Sequence, residues 1–338
     1  MLSALAVGVL ALAAWRARPP RPEVIHAEVA QPAPPTPSSV VDPLLPGRPA
    51  PLDSAAPALD PGWVNAPPRS ALQYSLPASE RDGVEPCAAP APKDADVVQP
   101  LSRGYLFTGG QPSLAADGKF DLIVHLHGEG PVRRELLASR QPFVLYTLTL
   151  PPSASYAPLF AGSGLLHQLI DEITAATSEH YGREARVGHL ALSAWSAGFE
   201  GVRSILYQPE ARDVEALILL DGLHAPRSQN GLAANLEPFI RFARRAERSE
   251  RWFAITHSSI PTANFTSSTE SAHFLIHELG GKPTAVRRDD GFGLELVDFF
   301  SSGNLNVRGY AGNDKADHCA QLFLMRSLLV PLHSYFHG

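Results

Sequence analysis

A serine lies where the chain geometry can make it a nucleophile. Apolar residues 187–194 predict a buried strand, which ends in the pentad Ala-Trp-Ser-Ala-Gly at positions 194–198, and a segment with helical apolar spacing follows at once. Strand, tight turn and helix in this order are typical of a nucleophile elbow. So sharp a turn needs small residues two positions before and after the serine, and Ala194 and Gly198 satisfy this. The pattern therefore predicts Ser196 as the nucleophile.

The two residues beside Ser196 have predicted roles of their own. The backbone N–H of Ala197 lies at the start of the following helix, where it can donate to an oxyanion. Trp195 is apolar and adjacent to the serine, and we expect it to line the wall of the substrate pocket.

A second segment, His-Leu-His-Gly-Glu-Gly at positions 125–130, directly follows another apolar strand. Glycine lets backbone N–H groups approach a substrate closely. We expect the backbone of Gly128 and Glu129 to complete the oxyanion hole, with His127 beside them.

The same segment carries an alternative hypothesis, a metal-dependent hydrolase. His125 and His127 share one face if both lie on a strand, which a zinc site could use. The third ligand would come from His224, His257 or His318, and none of these lies at a recognised spacing. We favour the oxyanion loop and predict no metal.

A general base and its acid are expected downstream. Asp221 ends the apolar strand 216–220, and His318 ends a polar loop that leads into the last helix. Serine, then acid, then histidine is the chain order of α/β-hydrolases. Glu270, Asp314 and Asp317 are the rival acids, and Asp317 is disfavoured because it is adjacent to the histidine.

On these motifs the chain resembles the α/β-hydrolase superfamily from about Arg103 to His337. The resemblance implies a mostly parallel central sheet with helices on both faces. It also implies a Ser196, Asp221 and His318 triad. The chain departs from the common pattern in having Ala194 where glycine is usual, and in having no acid after the strand near 251–259. The acid is therefore assigned to the preceding strand.

Alternating apolar segments after residue 93 fit this architecture. Near-continuous apolar runs are typical of parallel strands covered on both faces. The predicted strands are Phe120–Leu126, Phe143–Leu150, Val187–Ala194, Ala216–Leu220, Trp252–Thr256, Leu294–Phe300 and Leu305–Tyr310. Apolar stripes at helical spacing lie in 165–173 and 232–243, and the last helix carries apolar residues from Leu322.

Composition divides the chain into three parts. Residues 1–16 are an apolar segment, predicted to be an export signal or membrane anchor. Twenty of the 32 prolines lie in the first 100 residues, so residues 17–92 are predicted to be an extended or disordered proline-rich linker. Residues 93–338 are the predicted catalytic domain, and we expect an exported or envelope-tethered protein.

Charge and cysteine content limit the possible partners. The net charge is −6 over 338 residues. An acidic chain of this kind does not indicate a basic surface for binding nucleic acid, so we expect no nucleic-acid partner. Two cysteines, Cys87 and Cys319, fit no metal cluster and could form one bridge.

The sequence thus predicts a cofactor-free serine hydrolase. It would act on a small-molecule, ester or peptide substrate through an acyl-enzyme. A binding module that keeps this fold without the chemistry is the second hypothesis.

Overall fold

A computed structural model describes residues 98–108, 113–151, 155–227, 231–262, 264–289 and 294–338. The predicted signal or anchor segment, the proline-rich linker and Cys87 lie outside these residues. Cys319 is fully buried and disulfide-bonded.

One ten-stranded sheet runs through the described part of the chain, in the order β1-β2-β4-β3-β5-β6-β7-β10-β9-β8. The central strands β4, β3, β5, β6, β7 and β10 pair in parallel, and the strands at both edges are antiparallel. The strands are β1 Val98–Pro100, β2 Tyr105–Phe107, β3 Lys119–Leu126, β4 Phe143–Leu148, β5 Arg186–Trp195, β6 Ala216–Leu220, β7 Trp252–His257, β8 Thr284–Asp289, β9 Glu295–Ser302 and β10 Leu305–Tyr310.

Helices cover both faces of the sheet. They are α1 Glu129–Ser139, α2 Leu165–Tyr181, α3 Phe199–Leu206, α4 Gly231–Glu247, α5 Ser268–Glu278, α6 Lys315–Ala320 and α7 Met325–His337. Within the described ranges, none of them combines the length and the apolar composition needed to cross a bilayer.

Alternate strand residues point into two separate apolar cores, one on each face. On β3, for example, Val124 packs into the core beneath α2–α5, and Ile123 packs into the core beneath α1, α6 and α7. Burial on both faces explains why the central strands are apolar at nearly every position. The predicted α/β-hydrolase architecture, a mostly parallel sheet with helices on both sides, is confirmed.

The seven predicted strands agree with the structure to within two residues at each end. Three strands were not predicted: β1, β2 and β8. Strand β8 is largely exposed, so it carries no apolar signal. Helix α1 was also missed, since it begins directly after Gly128 in the segment that we expected to be a glycine-rich loop.

The pairing register brings the ends of three strands together. Trp195 pairs with Leu220, and Leu220 pairs with Thr256. The residues that follow these positions therefore lie side by side at the carboxyl edge of the sheet, where sites of open α/β sheets are found.

Gly198 is required by a close approach between the turn that precedes α3 and the end of β3. A Cβ atom at this position would overlap the carbonyl oxygen of Leu126 and lie 2.7 Å from its carbonyl carbon. Both neighbouring atoms belong to the backbone of a central strand and cannot move aside easily.

We therefore predict that Gly198→Ala lowers the free energy of unfolding by about 3 kcal/mol, the upper end of the usual cost of overpacking. Gly162→Ala is the matched control, because its nearest neighbour is the end of the Leu165 side chain at 3.2 Å. Urea unfolding followed by circular dichroism measures both variants. Equal free energies of unfolding for the two variants would show that the contact between Gly198 and Leu126 is not tight.

Candidate active site

Ser196 lies on a strained turn at the end of β5. Its φ is +49°, a left-handed conformation that is uncommon for residues other than glycine. A single 3-10 turn, Ser196–Gly198, follows, and α3 then begins. The serine is half-buried and Ala197 is exposed. The turn thus presents both residues at the surface of the carboxyl edge.

Asp221 occupies the corresponding position at the end of the neighbouring strand β6. It also has a positive φ, +43°, and its N–H donates to the carbonyl oxygen of Thr256 at 2.9 Å. The next residue, Gly222, packs on the serine turn, since a Cβ there would lie 3.1 Å from the backbone nitrogen of Ser196. The turns that carry Ser196 and Asp221 are therefore in contact at the sheet edge.

The carboxylate of Asp221 accepts hydrogen bonds from three separate segments. His318 Nδ1 lies 2.7 Å from Oδ2. Ser258 donates its N–H to Oδ1 at 2.8 Å and its hydroxyl to Oδ2 at 2.6 Å, and the hydroxyl of Ser268 donates to Oδ1. Asp221 is only 1% exposed, so these donors replace the water that a carboxylate needs.

The electrostatics of this pair favour an ionised acid. Burial opposes the charge on Asp221, but the hydrogen bond and the charge of His318, with the two serine hydroxyls, outweigh it and hold the pKa of Asp221 below its ordinary value. A carboxylate that accepts several hydrogen bonds is stabilised in its charged form.

His318 is fixed by its helix and by an indole ring. Helix α6 begins with a capping box between Asp314 and Asp317. Trp195 donates from Nε1 to the carbonyl oxygen of His318 at 3.0 Å and stacks on its imidazole, with ring centroids 4.5 Å apart. The described residues include no hydrogen bond from Ser196 Oγ to this imidazole. Such bonds are often loose in free enzymes and tighten with substrate.

His127 also stacks on the Trp195 indole. The rings of His127 and Trp195 are 5.1 Å apart and nearly parallel, and His127 Nδ1 lies 2.8 Å from the hydroxyl of Tyr156. Burial, and then the charge of His318, lower the pKa of His127. Trp195 thus stacks with two imidazoles and is 6% exposed.

The oxyanion segment differs from the expected loop. Gly128 has φ +87° and precedes α1. The N–H of Glu129 donates to Thr149 Oγ1 at 3.2 Å, so it is engaged within the protein. Burial raises the pKa of the Glu129 carboxyl, although Arg133 opposes this.

The alternative metal site at His125 and His127 is not formed. The strand ends at Leu126, and His127 adopts φ +75°, so the two side chains do not continue on one face. His125 is fully buried, with Nδ1 2.8 Å from Ser193 Oγ and Nε2 2.5 Å from the carbonyl oxygen of His127. Both ring nitrogens are therefore occupied. Burial lowers the pKa of His125 to about 3, so the ring is neutral.

The rival acids stabilise helix termini. Glu270 completes the capping box of α5 and pairs with Arg227 at 2.7 Å. Asp314 and Asp317 cap α6. Asp221 is the acid that contacts His318.

Sequence reasoning missed the two serines that hold Asp221. Ser258 directly follows β7, and Ser268 opens α5. The motif Ser-x-x-Glu at positions 267–270 is a readable capping signal for a helix start. It could have located the start of this helix along the chain, although not its position at the sheet edge.

No family model matches the chain, and no curated protein matches it. Similar solved structures include an uncharacterised protein from Capnocytophaga ochracea, with a TM-score of 0.38, 8% identity, and coverage of 68% of this chain and 62% of that one. The enterobactin esterase of Shigella flexneri has a TM-score of 0.46 and 12% identity, and the match covers 75% of this chain and 64% of that one. A poly(3-hydroxybutyrate) depolymerase from Bordetella parapertussis has a TM-score of 0.41 and 12% identity, with 70% and 90% covered.

The chain thus spans less than two thirds of the length of the first two of these structures. Its own strand order, with parallel central strands and helices on both faces, gives it the α/β-hydrolase fold.

Proposed function

We propose that the protein is a serine hydrolase that cleaves an ester or amide bond through an acyl-enzyme on Ser196. The observation that supports this most strongly is the Asp221–His318 pair at 2.7 Å, located beside a serine held in a strained turn. An ionised, buried acid that accepts from Nδ1 fixes the imidazole tautomer that leaves Nε2 free to take a proton.

In the proposed reaction, Ser196 Oγ attacks the carbonyl carbon of the substrate, and His318 Nε2 takes the hydroxyl proton. Asp221 stabilises the imidazolium that results. The tetrahedral intermediate then collapses, the bond to the leaving group breaks, and Nε2 returns its proton to that group. Water then attacks the acyl carbonyl carbon while His318 Nε2 takes its proton, the bond to Ser196 Oγ breaks, and Nε2 returns the proton to Oγ as the acid product leaves.

The oxyanion would accept hydrogen bonds from the backbone. Ala197 is exposed at the start of the turn, and its N–H is the first proposed donor. The N–H of Gly128 is the second. We prefer it to that of Glu129, because Glu129 already donates to Thr149.

The stacking of His318 and His127 on Trp195 would assist His318 as the general base. Stacking on Trp195 restricts His318 to one plane, and the second imidazole, His127, is kept neutral by burial and by the nearby positive charge. A neutral His127 avoids repulsion when His318 becomes charged during the attack.

We predict that Ser196→Ala reduces hydrolysis of a p-nitrophenyl ester by about 10⁴–10⁶-fold, because the nucleophile is removed. Its thermal midpoint should stay near that of the wild type, since the hydroxyl is at the surface of the turn. Labelling by a fluorophosphonate probe should be lost together with activity. A wild-type protein that is neither labelled nor active on esters or anilides would favour a non-catalytic binding module.

We predict that Asp221→Asn lowers kcat by about 10²–10⁴-fold, because an amide can neither fix the productive tautomer of His318 nor stabilise the imidazolium that forms during attack. Asp314→Asn is the matched control. It makes the same chemical change on the helix that carries His318, and asparagine is also a good N-cap. Comparable losses in both variants would mean that the acid is misassigned.

The stability of the folded protein should also depend on Asp221 and pH. The pKa of this carboxylate is lower in the folded state than the value of about 3.9 in an unfolded chain. The unfolded chain therefore binds the proton first, so the stabilisation is complete above about pH 4 and is lost as the pH falls further.

We predict that the free energy of unfolding of the wild type, relative to Asp221→Asn, falls by up to about 1.4 kcal/mol per pH unit below pH 4. Urea unfolding at pH 3, 4, 5 and 7 measures this difference. A difference that stays constant down to pH 3 would show that Asp221 is not ionised in the folded protein.

A further inference from the structure

A second buried group of ionisable residues crosses three neighbouring strands. His257 on β7, Gly309 on β10 and Asp298 on β9 are register partners. A Cβ on Gly309 would lie 2.5 Å from Asp298 Oδ2 and would overlap the His257 ring. Because Gly309 has no side chain, the His257 ring and the Asp298 carboxylate can approach each other across β10. His273 of α5 completes the group from above the sheet.

The donor atoms of this group converge. His257 Nε2 lies 3.3 Å from Asp298 Oδ1, and His273 Nε2 lies 3.3 Å from Asp298 Oδ2. One donor atom from each of the three residues lies within 4.8 Å of the other two. The carboxylate thus faces an imidazole nitrogen on each side.

His257 Nε2 and Asp298 Oδ1 make no well-directed hydrogen bond among the described residues, and the 3.3 Å between them is an ion-pair distance. Their side chains are 1% and 4% exposed. This long contact leaves both buried atoms weakly paired, and a cation bound between them would take both as ligands.

The surroundings orient His257 as a ligand. Its Nδ1 lies 3.0 Å from Thr269 Oγ1, a hydroxyl that can accept the Nδ1 proton. In that tautomer Nε2 would present its lone pair to a bound cation on the side of Asp298. A second-shell partner of this kind is usual for metal-bound histidine.

We propose that His257, His273 and Asp298 form a binding site for a divalent transition-metal ion, with Zn²⁺ as the preferred ion. Two imidazoles and one carboxylate are a typical zinc ligand set with a fourth position for water. Ligands at about 2.0–2.1 Å from a tetrahedral ion are about 3.3 Å from one another. Each imidazole nitrogen lies 3.3 Å from its nearer carboxylate oxygen, His257 from Oδ1 and His273 from Oδ2, so a small adjustment of the carboxylate would bring the ligands around one ion. His273 is partly exposed and provides the path of entry.

The metal site would brace the segments that hold Asp221. His257 precedes Ser258, and Thr269 follows Ser268, so the same strand end and helix start serve both groups. The N–H of Thr269 also donates to the carbonyl oxygen of Ser258 at 3.2 Å. The proposed role is structural, and binding does not depend on whether the protein is a hydrolase.

The test starts from full-length protein freed of metal by a chelator. Titration with Zn²⁺ alone, followed by calorimetry and by elemental analysis after gel filtration, should give one ion per chain. The thermal midpoint should rise with Zn²⁺, because an ion that binds only the folded state stabilises it.

His273→Ala and Asp298→Asn should lose the bound ion and the thermal shift. His277→Ala, an exposed histidine one turn along the same helix, is the matched control and should keep both. His273→Ala remains informative if Asp298→Asn does not fold, since His273 is partly exposed. Ser196→Ala should bind Zn²⁺ as the wild type does, which separates this result from the test of catalysis.

The proposal is overturned if the wild type binds no ion and shows no thermal shift, because the group is then an ion-pair network. It is also overturned if His273→Ala retains the ion, since the metal would then lie elsewhere.

Discussion

The charged carboxylate of Asp221 is the constraint on which the rest of the site depends. An ionised group that is almost fully buried is stable only when enough donors replace its water. Here the donors come from the end of β7, the start of α5 and the helix α6, which are 37, 47 and 97 residues away along the chain. Three distant segments must therefore be in place before the acid can hold its charge.

The same edge of the sheet also stores backbone strain. His127, Ser196 and Asp221 follow β3, β5 and β6, and each has a positive φ. Such conformations cost free energy and persist only where the surroundings determine them. Parallel strands packed into cores on both faces supply that rigidity. The strain turns three side chains away from the strand alternation and toward one site.

Local patterns in the sequence predict most of the sheet, and distant contacts explain what they miss. Apolar runs predict the central strands, since these are buried on both faces. Strand β8 is exposed and has no such run. The chain order of the motifs predicts Asp221 as the acid, which stays a proposal, but the contacts of Ser258 and Ser268 with it could not be predicted, because nothing local shows that β7 and α5 meet at Asp221. The group around Asp298 depends on the register of three strands, and a single glycine makes it possible.

Asp221 and Asp298 are two buried carboxylates that share their supports. Ser258 and Ser268 donate to Asp221, and their neighbours in sequence, His257 and Thr269, contact each other beside Asp298. A shift of α5 away from the sheet would therefore weaken both groups at once. Because pairing a buried charge fixes position as well as energy, the second group restrains the donors of the first. The position of the Asp221 carboxylate thus depends on residues that do not contact it directly.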